Sequence, residues 1–352
     1  MTNGNDKDAI KITMDDLARV TVPETGVVSP TSAAPGARSY GTISEAAEPF
    51  IPVAEERGSL LLQGWFYLGA AGVLGAMLAW AVAEPAFLDG ESNRWGNLWM
   101  IPLIVAGMSL GFGVAESTVE RSVRKALLRG ALSLPLGIVL GFFFSFIANI
   151  VYAIGIQICV EAGAQSTRNP ALWIARGIAW MVFGVAGGIV YGIVGQSSKN
   201  AKYGILGGVI GAGLGGMVFD PIAELTNGGA VSRAVGFSLL GIATGVGMGL
   251  VESALKDRWL YVTAGPLAGK QFILYKSRTT IGSRQESDIY LFKDPSILPQ
   301  HAAVEIAGAR VQILATGNVF VMGQPIHTRV LQNGDLIQVG RYSFRYKEKH
   351  RS

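Results

Sequence analysis

One cysteine, Cys159, stands in 352 residues, so no intramolecular disulfide framework is available. It falls near the end of an apolar run, where a structural role is expected. Histidine is almost as scarce: His301, His327 and His350 lie scattered in the C-terminal region without metal-ligand spacing. The chain carries no P-loop, nucleophile elbow, zinc motif or kinase signature. Its acidic residues offer no pair whose spacing argues for general acid–base work. Neither a catalytic site, a metal nor a cofactor is therefore expected. Charge is short as well. Only 15% of the residues are charged, against about 25% in an ordinary soluble protein. The first residues are polar and contain no apolar core of the kind a secretory signal needs, so the first apolar segment is expected to act as an internal signal-anchor.

What fills the space left by charge is hydrophobic residues, 50% of the chain, with a mean hydropathy of +0.38. They concentrate in six stretches, roughly 60–83, 97–115, 131–158, 172–195, 202–219 and 234–252. Each is close to the ~20 residues that cross a bilayer core as a helix. The third is the longest and must tilt or protrude. Loop charges alternate along this series. Arg121, Arg124, Lys125 and Arg129 lie between the second and third stretches, Lys199 and Lys202 between the fourth and fifth, and Lys256 and Arg258 after the sixth. The intervening loops are poorer in Lys and Arg. The positive-inside rule then places both termini in the cytoplasm of a multi-pass inner-membrane protein, and an even number of spans agrees.

The even-numbered spans end alike, in Gly113–Ser117 (GVAES), Gly192–Ser197 (GIVGQS) and Gly249–Ser253 (GLVES). Three helical hairpins related by duplication would give this pattern; the alternative is coincidence at a shared basic interface. Glycines recur every three or four residues in spans four to six: Gly184, Gly188 and Gly192, then Gly204, Gly208 and Gly211, then Gly241, Gly245 and Gly249. Small residues so placed let helix backbones approach closely, whether within the chain or across a homo-oligomer seam. Few ionisable groups fall at mid-depth. Glu116, Arg176, Asp220 and Glu252 lie near span ends, where charge is cheapest, and this argues against a pump.

Residues 1–58 are rich in Pro, Ser, Thr, Ala and Gly and poor in aromatics, so a disordered cytoplasmic tail is expected, with a short helix around Met14–Val20. Its first 57 residues hold five Lys/Arg against nine Asp/Glu, whereas residues 258–352 hold thirteen against six. A basic C-terminal surface suits an acidic or phosphorylated partner, or anionic headgroups.

From Arg258 to Lys349 the pattern changes. Short β-type runs alternate with Gly, Asn, Asp and Pro turn signals, the mark of an all-β sandwich. Several motifs follow in a set order: Gly269-Lys270-Gln271-Phe272 with Leu274, Thr280-Ile281-Gly282, Asp288-Ile289-Tyr290-Leu291, Ser296 to His301-Ala302, and Phe320-Val321-Met322-Gly323. Leu331 to Gly340 closes the series, with Asn333-Gly334-Asp335 reading as a tight hairpin turn. This series resembles the forkhead-associated (FHA) family, whose members bind phosphothreonine peptides. The resemblance covers about a quarter of the chain. It implies structural roles for Gly282, His301 and Gly323. It also implies that an Arg after the Ile-Gly, a Ser three residues before the His and an Asn before the Phe-Val hold the phosphate. Here those positions carry Ser283, Leu298 and Gly317. Ser283, Arg284, Ser296, Thr316 and Asn318 remain as candidates to rebuild the site. Thr25 in the tail fits the ligand pattern of such a domain.

The expected architecture is thus a disordered tail (1–58), a glycine-rich six-helix membrane bundle (59–254) and an FHA-like sandwich (258–349). The expected function is that of a membrane-anchored adaptor that recruits a cytoplasmic protein, with lipid as its other partner and no nucleic acid. A channel or transporter regulated by the sandwich, and a scaffold that needs no phosphate, are the rivals.

Overall fold

The computed structural model describes residues 59–88, 95–164, 166, 168–225 and 229–349. The tail, with its expected short helix and Thr25, lies outside the described residues. Those described form six long helices: α1 (Gly64–Ala83), α2 (Trp95–Val119), α3 (Val123–Glu161), α4 (Pro170–Val194), α5 (Ser198–Leu225) and α6 (Gly229–Leu255). All six are long and apolar enough to cross a membrane. They occupy the six apolar stretches and mostly overrun them at both ends, α3 by the most. Asn169 caps α4, its side chain accepting from the Ala171 N–H at 3.0 Å. Cys159 lies near the end of α3, its thiol 3.4 Å from the Ala171 carbonyl.

Each helix packs on the next, and α6 closes back on α1. The ring is filled rather than hollow. Phe112 on α2 is 1% exposed and sits between Gly72 of α1 and Gly187 of α4. Met100, Ile104 and Met108 of α2 share one core with Trp180 and Phe183 of α4 and Phe237, Leu240 and Met248 of α6. The glycine rows make this closeness. A Cβ on Gly184 would collide with the backbone of Gly208, one on Gly211 with Ala243, and one on Gly241 with Gly72. The glycine faces offered by the sequence as an oligomer seam are therefore occupied by helices of the same chain, so self-association would need another surface. At the end of the bundle where α4 begins and α5 finishes, Arg176 pairs with Asp220 at 2.9 Å and Arg233 with Glu84 at 2.6 Å. Arg176 and Asp220 lie near helix ends, as expected from the sequence.

Only Lys256 and Asp257 separate α6 from the first strand. Nine strands follow: β1 (Arg258–Ala264), β2 (Gln271–Ile273), β3 (Arg278–Gly282), β4 (Ile289–Tyr290), β5 (Ala302–Ala307), β6 (Arg310–Val321), β7 (Gln324–Val330), β8 (Leu336–Val339) and β9 (Tyr342–Glu348). The strand order is β2-β1-β9-β8-β6-β5-β3-β4, with β7 on β6. Strand β6 joins the two layers. Its first half pairs with β5 (Val304↔Ile313) and its second with β8 (Val321↔Ile337). Alternation fixes which face is inward. Tyr342, Phe344 and Tyr346 of β9 and Leu260 and Val262 of β1 are all fully buried. They meet Ile281, Val304 and Ile313 from the other layer in one core. Met322 and Gly323, with φ of 52° and 78°, turn β6 into β7 as a two-residue hairpin of the kind that needs two left-handed residues. The Asn333–Asp335 segment corrects the sequence reading: it is a turn, but β7 and β8 do not pair with each other, and both pair with β6.

Candidate functional site at the loop end of the sandwich

Three segments meet at one end of the sandwich, and His301 ties two of them together. Its ring is buried. Nδ1 accepts the Leu298 N–H at 3.1 Å, which leaves the hydrogen on Nε2, 3.0 Å from the Asn318 carbonyl. Its own carbonyl accepts from Thr316 N and Gly317 N, both at 2.9 Å. Gly317 packs flat on the imidazole, and a Cβ there would strike it. Gly282 plays a similar part, since a Cβ would run into the Pro299 carbonyl. This close approach lets Ser283 N reach Leu298 O at 3.0 Å. His301→Ala removes the partners of two part-buried backbone groups, each bond worth about 0.5–1.5 kcal/mol, so the unfolding midpoint of the sandwich is expected to fall measurably in a thermal melt.

Two carboxylates fix the loops on either side. Asp288 accepts from Thr280 N at 2.9 Å, Thr280 Oγ1 at 2.8 Å and Lys276 Nζ at 2.7 Å. Burial pushes its carboxyl up, but the Lys276 and Thr280 donors outweigh this and hold it below the usual range. Asp294 accepts from Ser296 Oγ at 2.7 Å, Ser296 N at 3.0 Å and Arg341 N at 2.7 Å. Those donors likewise overcome burial and keep it low. Next to it the Tyr342 hydroxyl donates to Phe292 O at 2.6 Å, and burial raises its pKa to about 12.

The sequence candidates fare differently on this frame. Ser296 is exposed, but its hydroxyl is committed to Asp294 and shapes the loop. Ser283 is half-buried at the root of the β3–β4 loop. Arg284, Thr316 and Asn318 are exposed. Among the described residues, no hydrogen bond or ion pair holds the Arg284 guanidinium. Thr316 to Asn318 lie not in a free loop but in a bulge inside β6. Between Leu314↔Thr328 and Val319↔Ile326, four residues of β6 face one of β7, which throws the segment outward.

Sequence reasoning missed how the sandwich is seated. Its underside rests on the end of the bundle where α2 turns into α3. Lys270 Nζ lies 2.6 Å from Glu120 Oε1, with side chains 1% and 2% exposed. Lys125 stands 3.4 Å from the other Glu120 oxygen and donates to the Ser287 carbonyl. Arg124 pairs with Glu286, and the Arg121 guanidinium lies 5.7 Å from the centre of the Phe292 ring. On the far side the Tyr275 hydroxyl donates to Glu252 of α6 at 2.8 Å, and Gln63 Nε2 to Gly269 O at 3.2 Å. Burial, then the neighbouring Glu252 carboxylate, pushes the Tyr275 phenol far above its usual value. One flank of the β3–β4 loop thus leans on the helices, while its tip at Arg284 faces outward.

The sandwich, its strand order and its loops make the C-terminal quarter an FHA-type domain, carried on six apolar helices. Residues 261–350 match the Yop-YscD family described as the inner membrane component of T3SS, cytoplasmic domain. Over 86 residues the chain is 34% identical to the glycogen accumulation regulator GarA of Mycolicibacterium smegmatis, which is 24% of this chain and 54% of that protein. It is 36% identical over 86 residues to an oxoglutarate dehydrogenase inhibitor of Corynebacterium efficiens, 24% of this chain and 60% of that one. The chain therefore spans about half the length of these curated relatives. Among solved structures, the FHA domain of the CT664 protein from Chlamydia trachomatis is similar, with 30% identity and a TM-score of 0.25. That match covers 27% of this chain and 99% of that one.

Proposed function

We propose that this protein is a membrane-held recruitment module. The six helices sit in an inner membrane with the sandwich and both termini on the cytoplasmic side, and the loop end of the sandwich holds a cytoplasmic protein. The observation that carries this reading is the division of labour in the sandwich. Its underside is fastened to the helices through a buried ion pair, while Arg284 in the β3–β4 loop and Thr316 and Asn318 in the β6 bulge are exposed, with no side-chain hydrogen bond among the described residues. The cations Arg121, Arg124, Lys125 and Arg129 at the seated end support the orientation. The packed centre of the ring speaks for an anchor over a channel, and the names of the curated relatives are those of regulators.

Arg284 gives the surface its chemistry. A guanidinium fork recognises phosphate or carboxylate through charge-assisted hydrogen bonds. Full-length protein captured from solubilised membranes is expected to bring down its partner, and Arg284→Ala is expected to weaken capture about tenfold or more, the loss of one charged hydrogen bond. Phosphatase treatment that abolishes capture assigns the contact to phosphothreonine. Equal capture by wild type and Arg284→Ala contradicts the assignment of the surface.

A second reading is favoured by the loops themselves. Leu298 and Gly317 occupy two positions where the family holds phosphate, and the Ser296 hydroxyl is spent on Asp294. A scaffold that binds a protein without phosphate, within a larger membrane complex, fits these substitutions. It is the outcome in which phosphatase changes nothing.

A further inference from the structure

The repeated ends of α2, α4 and α6 have no part in recruitment, yet they come together in space. Glu116, Gln196 and Glu252 border a single cavity of about 390 Å³ between the end of the bundle and the sandwich. That volume is of the size that holds small organic molecules, roughly 300–1,000 Å³. Most charges around it are matched. Glu116 pairs with Arg129 at 2.9 Å, Asp288 with Lys276 at 2.7 Å, and Glu286 with Arg124. Lys125 is engaged by Glu120.

One buried carboxylate is left without a counter-charge. Glu252 is 8% exposed. It accepts from the Tyr275 hydroxyl at 2.8 Å and, at 3.3 Å, from that of Tyr191, and no ion pair among the described residues neutralises it. A buried carboxylate without a counter-charge is costly. The rings of Trp65, Tyr67 and Tyr191 line the same wall. An uncompensated carboxylate among aromatic faces is a recognition environment for an organic cation.

We infer that this cavity binds a small organic cation of the primary-ammonium class, its charged head on Glu252, whose oxygens accept its N–H groups. The sandwich contributes Phe272, Tyr275 and Lys276 to the same walls. Occupancy therefore tightens the joint between helices and sandwich, which makes this joint a sensor independent of whether the loops bind a phosphorylated or an unphosphorylated partner.

Full-length protein in nanodiscs, titrated calorimetrically with putrescine, with butylammonium and with tetramethylammonium, tests this. Putrescine is expected to bind saturably, and so is the monocation butylammonium. Tetramethylammonium, which matches the single charge of butylammonium but has no donors, is expected to bind about tenfold more weakly than butylammonium or worse, and Glu252→Gln to weaken putrescine by a similar factor. The ligand-free melting curve of this variant shows that it is folded. No saturable binding of putrescine by the wild type, equal binding of butylammonium and tetramethylammonium, or undiminished binding by folded Glu252→Gln overturns the inference.

Discussion

Lys270→Met is expected to cost about 3–5 kcal/mol, the penalty for stranding one partner of a buried ion pair. The change leaves Glu120, 1% exposed, with Lys125 at 3.4 Å as its remaining cation. Met keeps a straight apolar side chain of similar length, so the loss is electrostatic: the ammonium that lies 2.6 Å from Glu120 and 4.4 Å from the centre of the Phe272 ring is removed. The seat should loosen, and a protease should then cut near Lys256 and Asp257, the only residues between α6 and β1. Adding Glu120→Gln to the same chain removes the orphaned charge and should restore part of the loss, because the two positions act as one unit. Lys125→Met, at a side chain 14% exposed, should cost less. Unchanged melting and cleavage in Lys270→Met would mean that the sandwich is not held in this way.

The second large effect contrasts two neighbouring glycines on α4. A Cβ at Gly188 would collide with the backbone of Ile205 on α5, which no side-chain movement relieves. Gly188→Ala should therefore force the two helices apart, at about 3 kcal/mol or more for a rigid overpacked contact. A Cβ at Gly187 meets only the Phe112 ring, 3.5 Å away, an ordinary contact. Gly187→Ala should be neutral or stabilising, since Ala is favoured over Gly in a helix by about 1 kcal/mol. Reversible denaturation of the two variants in mixed micelles separates them. Equal effects would show that close backbone approach is not what the glycine row provides.

These contrasts also show what the sequence makes legible. The six spans can be read because each is a run of apolar residues long enough for a bilayer, a local property. Their ends cannot. The first turns of α3 carry Arg124, Lys125 and Arg129, so hydropathy stops at about residue 131 where the helix begins at Val123. The sandwich can be read because turn chemistry and alternation are local too. The fold even keeps Gly282 and His301 in structural roles while the residues around them depart from the family. The candidate site was legible only by position. That Ser296 serves Asp294, and that Thr316 to Asn318 form a bulge inside a strand, depends on partners across the sheet.

The seat was not legible at all. Glu120 and Lys270 are 150 residues apart, and nothing local marks either as buried. The one advance signal was the repeated Glu-Ser ending of α2 and α6. Those endings could be seen to be alike, but not to face one cavity.

Cross-linking of the seat tests the central claim most directly. With Cys159 replaced by alanine, Arg124→Cys and Glu286→Cys are introduced together, and native membranes are treated with a short bis-maleimide. Seating of the sandwich on the end of α3 gives an intramolecular cross-link in most chains, with no partner protein added and at any protein density. A cross-link that is absent, or that forms only between chains, would contradict it.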